Sequence, residues 1–312
     1  MRIVTINKVI KAKVNQWLKS ITDVQLREDL KDKIVVTGGC ITSMLLQEDP
    51  NDYDIYFTDL ETTQRVAKYY LPKIKDGEKC KIYLADGAGQ FDHTEKHNKL
   101  CEDLHVHVYI PSDGFLSEDK GHVDPLQLME ELEAVEDSAP SDITNKEETP
   151  NHKEKYRPVF VTSNAITLSD KIQLITRFSG NPEKIHENFD FDHTKLWFSM
   201  EEGVVTNTKS LECVLARRLI YSGSKFPLCS IIRTRKFINR GWSLDAGQYV
   251  KMAIQLADLD LRDPYILSQQ LIGVDTSYFQ WVLSIITKEE ILIDGRVDMQ
   301  YLMRLINKVF DD

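Results

Sequence analysis

Residues 37–57, TGGCITSMLLQEDPNDYDIYF, constrain this chain more than any other stretch. They follow the apolar, β-branched run KIVVT at 33–37, which reads as a short buried strand. Gly38-Gly39 breaks that run. CITSMLLQ then has the pattern of a short helix, ending near Asp49-Pro50. DYDIYF at 52–57 alternates and is rich in β-formers, so a second strand is expected there. The stretch is therefore a strand–turn–helix–strand unit that carries two acids, and its function depends on where those acids point.

Residues two apart on a strand point to the same face, so Asp52 and Asp54 are expected side by side, with Tyr53 and Ile55 turned to the core. Like charges so close are unfavourable unless a cation lies between them. Mg²⁺ is commonly held by one or two carboxylates together with substrate phosphates. Paired ions of this kind stabilise in-line attack on phosphorus. Glycines allow backbone to approach a phosphate closely, and helix starts attract anions. Thr42 and Ser43 add candidate hydroxyl donors. A lone D-x-D on a strand is weak, because surface strands often alternate acids; the combination with the glycine pair is far more specific.

That combination resembles the signature of nucleotidyltransferases of the DNA polymerase beta superfamily. It is nearest to the form in tRNA nucleotidyltransferases and bacterial poly(A) polymerases, G-G-x-V-R-D-x-L-L-G-x-x-P-x-D-x-D-I. Gly38, Gly39, Ile41, Leu45, Leu46, Pro50, Asp52, Asp54 and Ile55 fall on it without a gap. The resemblance implies that Gly38 and Gly39 hold an incoming nucleoside triphosphate and that Asp52 and Asp54 bind catalytic Mg²⁺ or Mn²⁺. Thr42-Ser43 stands where the pattern has Arg-Asp, Gln47 replaces its last glycine, and no E-D-x-x-R-x-x-R block follows. The resemblance therefore implies the superfamily's chemistry and leaves the acceptor open. Such enzymes often add a third carboxylate from a neighbouring strand. Asp190 is the candidate, with Asp192 beside it in FDFDH, and capping a turn is the alternative role for Asp190. A looser similarity of residues 177–198 to the superfamily core, and to reading frames of large DNA viruses and phages, points to a viral or phage source.

The rest of the chain fits an α+β protein: a polymerase-beta-like core of mixed sheet and flanking helices, then an all-helical region. Residues 1–31 have helical periodicity, 60–71 a second helix, and KCKIYLAD and LHVHVYI read as strands. Beyond 155, two β-rich runs meet at a turn over Ser169-Asp170, NPEKIHENF reads as a helix capped by Asn181, and DFDHTKLWFS as a strand. Helical patterns follow at 209–222, 227–239, 245–257, 264–271, 275–286 and 298–310. The expected domains are 1–205, with an insertion at 112–155, and 206–312.

The insertion accounts for the net charge of −10: residues 113–154 hold 13 acids and 3 bases, leaving 36 of each elsewhere. The acidity of the whole chain thus excludes no nucleic-acid partner for the remainder. The insertion itself reads as a solvated arm. Residues 215–251 are the opposite, with eight bases against Asp245: Arg217, Arg218, Lys225, Arg233, Arg235, Lys236, Arg240 and Lys251. Tyr221, Phe226, Phe237, Trp242 and Tyr249 are interleaved. This segment is a candidate surface for a triphosphate or an RNA or DNA backbone, with aromatics for stacking; a solvated basic face over an aromatic core is the alternative.

His93, His97, Cys101, His105 and His107 suggest a zinc site, but an intervening strand and the lack of a usual zinc spacing favour solvent-facing histidines. Five scattered cysteines without C-x-x-C suit a reduced compartment. No run of about 18 apolar residues spans a membrane, and the first 20 residues read as an ordinary helix, so the cytoplasm (a host's, for a viral protein) is the expected location. The function expected is Mg²⁺-dependent transfer of a nucleoside monophosphate from an NTP to a hydroxyl: an RNA 3′ end, a small molecule or a protein side chain. The alternative is a degenerate nucleotidyltransferase fold that only binds nucleotide or nucleic acid.

Overall fold

The computed structural model describes residues 1–74, 77, 80–85, 91–92, 105–109, 115–116, 155–162, 164–271, 292–293 and 295–310. The acidic insertion up to residue 154 apart from Phe115–Leu116, the expected helix at 275–286, and His93, His97 and Cys101 lie outside them. Among the described residues the chain divides into two compact units. The first holds residues up to 188 with His193–Val214, and the second holds Phe189–Asp192 with the residues from Leu215 onward. No described helix is long and apolar enough to cross a membrane.

The first unit is α+β. It opens on α1 (Ile3–Ser20), whose Ile6, Ile10, Val14 and Trp17 recur at the helical period and are buried. The expected single helix is two: the chain leaves α1 at Ile21, and the Asp23 carboxylate accepts the Leu26 N–H to start α2 (Val24–Leu30). Next come β1 (Ile34–Thr37), α3 (Gly39–Leu45), β2 (Tyr53–Phe57) and α4 (Leu60–Tyr70). Trp17 Nε1 donates to Tyr70 Oη at 2.8 Å in the core, tying α1 to the end of α4.

Eight strands form one mixed sheet. With β6 (Phe115–Leu116), β7 (Pro158–Val161), β8 (Ala165–Leu168), β9 (Ile172–Ser179), β10 (Trp197–Ser199) and β11 (Gly203–Val205), the order is β11-β10-β1-β2-β9-β8-β7-β6. Strand β2 is central, antiparallel to β1 and parallel to β9. A separate sheet joins β3 (Lys81–Ala85), β4 (Phe91–Asp92) and β5 (His105–Tyr109). The tight turn between β8 and β9 puts Asp170 and Lys171 at φ +62° and +59°, the left-handed conformation that a short hairpin demands. Beyond β9, α5 (Pro182–His186) starts as the sequence foretells, with Asn181 Oδ1 accepting the Lys184 N–H at 2.9 Å and proline in the first turn.

The expected strand at 190–199 is only its last third, β10. Asp190 and Asp192 therefore do not alternate along a strand: Phe191 makes an isolated bridge to Tyr221, and Asp192–Thr194 form a 3-10 turn. The backbone bonds of 190–192 go to Ile220 and Ser222, which draws this segment into the second unit and leaves no continuous ladder.

Helix α6 (Thr208–Ala216) closes the first unit. It stops six residues before the sequence pattern does, because Arg217 turns left-handed at φ +46°. The second unit then holds α7 (Pro227–Asn239), α8 (Ala246–Ala257), α9 (Pro264–Leu271), a short pairing of β12 (Leu292–Ile293) with β13 (Arg296–Val297), and α10 (Met299–Phe310).

Candidate nucleotide and metal site

The glycine turn and the aspartates meet in the first unit. Thr37 pairs with Asp54 across the β1–β2 ladder, and Asp54 pairs with Gln173 of β9 on its other side. Tyr53 and Ile55 are buried and Asp54 is half-exposed, the parity expected of a strand with one wet face. Asp52 is exposed and precedes the ladder. Lys171 holds its loop from two directions: its carbonyl accepts the Tyr53 N–H at 2.8 Å and its ammonium donates to the Pro50 carbonyl at 3.1 Å.

Gly38 adopts φ +97° and ψ −147°, a conformation essentially closed to other residues. A β-carbon there would lie 2.7 Å from Asp54 Oδ2. The glycine backbone thus packs directly on the carboxylate. Gly39 differs: its φ is ordinary, and a β-carbon there would meet nothing within 4 Å. Among the described residues nothing fills the space that a side chain at Gly39 would take.

Electrostatics agrees. The buried Cys40 thiol is pushed well up, first by burial and then by the carboxylates of Asp54 and Asp52, so both acids lie near the start of α3 and the thiol stays protonated. Burial raises the Tyr53 phenol to about 12, which removes it as a base near neutrality. Two carboxylates beside an open glycine turn fit a hard divalent cation whose other ligands are water and phosphate oxygens. Among the described residues no group of three or more His, Cys, Asp or Glu is placed to hold a metal on its own.

Thr42 and Ser43 are buried. The Thr42 hydroxyl donates to the His193 carbonyl at 2.7 Å. Gln47 stands at φ +64°, in the left-handed conformation just past α3, so the position where the resemblance has glycine does need glycine's freedom. Gln47→Gly is expected to stabilise the protein by about 1 kcal/mol, read as a higher urea midpoint at unchanged slope.

Sequence reasoning missed His186. Its Nε2 lies 2.8 Å from Thr37 Oγ1. Burial, and then Lys195, lower its pKa to about 4, with Glu183 opposing. The unfolded chain therefore takes up this proton first as pH falls. Stability is full above about 6.5 and declines as pH drops toward 4, by up to about 3 kcal/mol from this residue. His186→Gln should flatten that part of a plot of denaturation midpoint against pH.

Asp190 and the basic residues belong to the second unit. Asp190 is buried, its side chain 8% exposed, and its Oδ2 accepts from Arg233 Nη1 at 2.8 Å. Arg217 Nη1 donates to the Arg240 carbonyl at 2.9 Å, capping the end of α7. Lys236 is half-buried, and Arg218, Lys225 and Arg235 are exposed. The interleaved aromatics mostly pack inward: Phe237 meets Phe191 and Trp242 edge to face at centroid distances of 5.6 and 6.3 Å, and Tyr221 is buried. Tyr249 is exposed. On β5, the His105 and His107 rings stand 6.4 Å apart, and burial, then Arg177, lower the His107 pKa.

Comparison with known proteins gives a family and distant structural likenesses. The Thermotoga maritima CCA-adding enzyme complexed with tRNA is 10% identical, over 90% of this chain and 56% of that one, at a TM-score of 0.37. The Bacillus stearothermophilus CCA-adding enzyme in complex with CTP is 11% identical, over 83% and 49%, at 0.35. An apo CCA-adding enzyme is 10% identical, over 88% and 51%, at 0.38. The chain thus spans about half the length of these enzymes. No protein of curated function matches the sequence. The profile of the Gabija anti-defense 2 (Gad2) family matches residues 8–217, about two thirds of the chain. With the glycine turn, the paired aspartates and the strands that carry them all inside that match, the chain belongs to the Gabija anti-defense 2 family.

Proposed function

We propose that this protein is a nucleotidyltransferase that moves a nucleoside monophosphate from an NTP to an acceptor hydroxyl and releases pyrophosphate, and that this reaction serves the anti-defense role for which its family is named. The observation that carries the reading is the contact between Gly38 and Asp54: a turn only glycine can make lies against the half-exposed Asp54 carboxylate, two residues from the exposed Asp52. Asp52 and Asp54 hold a divalent cation, Mg²⁺ or Mn²⁺. That cation, when bound, neutralises charge gathering on the phosphate oxygens and the departing pyrophosphate. Gly38 and Gly39 let the triphosphate lie against bare backbone. On the second unit, Arg218, Lys225, Arg235 and Lys236 contribute positive charge for the phosphates of an RNA acceptor, while Arg217 and Arg233 shape that surface through Arg240 and Asp190. A phage or viral source and action in the host cytoplasm belong to the same reading.

The direct test is incubation with Mg²⁺, α-labelled nucleoside triphosphates, total RNA and lysate protein. Label in RNA, protein or a small molecule names the acceptor class, and no label in any fraction overturns transfer. One observation favours a second reading, a binding module without turnover: among the described residues no third acid completes a metal-holding group with the pair. Under that reading the wild type gains thermal stability with Mg²⁺ and a triphosphate yet transfers nothing.

A further inference from the structure

The glycine turn is braced from both ends by one backbone segment. Thr37, the residue before Gly38, is fully buried, and its hydroxyl lies 2.8 Å from the Leu196 carbonyl. Thr42, three residues after Gly39, is 4% exposed, and its hydroxyl donates to the His193 carbonyl. Residues 193–196 thus strap the turn on either side, and both bonds lie within the first unit. His186 Nε2 completes the brace at 2.8 Å from Thr37 Oγ1. Proton accounting fixes the roles. A carbonyl only accepts, so the single Thr37 hydroxyl proton goes to Leu196, and His186 must donate its Nε2 proton to Thr37 Oγ1.

These bonds act on the site through geometry. Thr37 faces Asp54 across the ladder, and the next residue is the glycine that touches Asp54 Oδ2. A tilt of the end of β1 moves Gly38 into or away from that carboxylate. Thr42 fixes the other end of the turn, on the first turn of α3. Buried bonds of this kind cost more when broken than they contribute when made, because each leaves a polar group without water.

We infer that Thr37, Thr42 and His186 are positioning residues that hold the Gly38–Gly39 turn at the distance from Asp54 at which a metal-bound nucleoside triphosphate fits. The inference rests on the proposed function and assigns Thr42 a structural task in place of a nucleotide contact.

The test is calorimetric titration of the intact protein, well below its unfolding temperature, with α,β-methylene analogues of the four nucleoside triphosphates in Mg²⁺. Thr37→Val removes both bonds of its hydroxyl, Thr42→Val removes the bond to His193 and His186→Leu the bond to Thr37, all at nearly constant volume, and each should weaken binding about tenfold. Thr37→Ser keeps the hydroxyl, and His186→Gln places an amide donor where Nε2 stood; both should stay within about twofold of wild type. A general loss of packing would give no such rescue. Should Thr37→Val fail to fold, Thr42→Val and the two His186 variants decide. Valine and leucine variants that melt earlier but bind as tightly as wild type overturn the positioning role alone. A wild type that binds none of the analogues overturns the site itself, and the inference with it.

Discussion

Asp54→Asn should abolish nucleotidyl transfer, by about 10³-fold or more, and leave the fold intact. The strand that carries Asp54 is bonded on both sides through backbone, so an isosteric amide disturbs no ladder. What goes is one of the two negative charges proposed to hold the cation. Losing several kcal/mol of charge stabilisation at phosphorus corresponds to a rate loss of at least that size. Without metal the variant and wild type should melt close together, since the amide keeps the carboxylate's shape. With Mg²⁺ and a triphosphate only wild type should gain stability. Equal transfer by Asp54→Asn and wild type would remove the pair from the chemistry.

The two glycines should respond to alanine in opposite ways. Gly38→Ala asks for a β-carbon 2.7 Å from Asp54 Oδ2, in a backbone conformation alanine does not tolerate. The strain is about 1–3 kcal/mol, and relieving it means moving Asp54 or the turn. Activity should fall nearly as far as in Asp54→Asn, with a lower melting temperature. Gly39→Ala should keep or raise the melting temperature, because its backbone is helical, the space is open, and alanine favours helix by about 1 kcal/mol. Its affinity for the metal-bound triphosphate should nonetheless drop, since the added methyl takes up open space at the turn proposed to hold the phosphates. Full affinity in Gly39→Ala would mean that the phosphates lie elsewhere.

Much of this was legible in the sequence where local rules act alone. The glycine break, the strand parity of Asp54 and the helix at 227–239 follow from period and turn chemistry, and each appears where expected. Residues 189–196 were not legible as they are, because their bonds run to Ile220, to Ser222 and to threonine side chains, none of which a local pattern reveals. His186 escaped for the same reason: it meets Thr37 across 149 positions of sequence. The aromatics among the basic residues were ambiguous by composition, and burial assigns Tyr221 and Trp242 to the core. The departure at Gln47 turns out to be a side chain kept in glycine's conformation.

The unequal anchoring of the two aspartates has a consequence for ion choice. Asp54 is set between two paired strands, whereas Asp52 sits ahead of the ladder on a loop tied down through Lys171. In the proposed metal site one ligand would be fixed and the other adjustable. Such a site would follow the radius of its ion by swinging a single loop, without distorting the sheet, and so should accept Mn²⁺ as readily as Mg²⁺. A shorter side chain at Lys171 would widen that tolerance further, toward larger ions such as Ca²⁺.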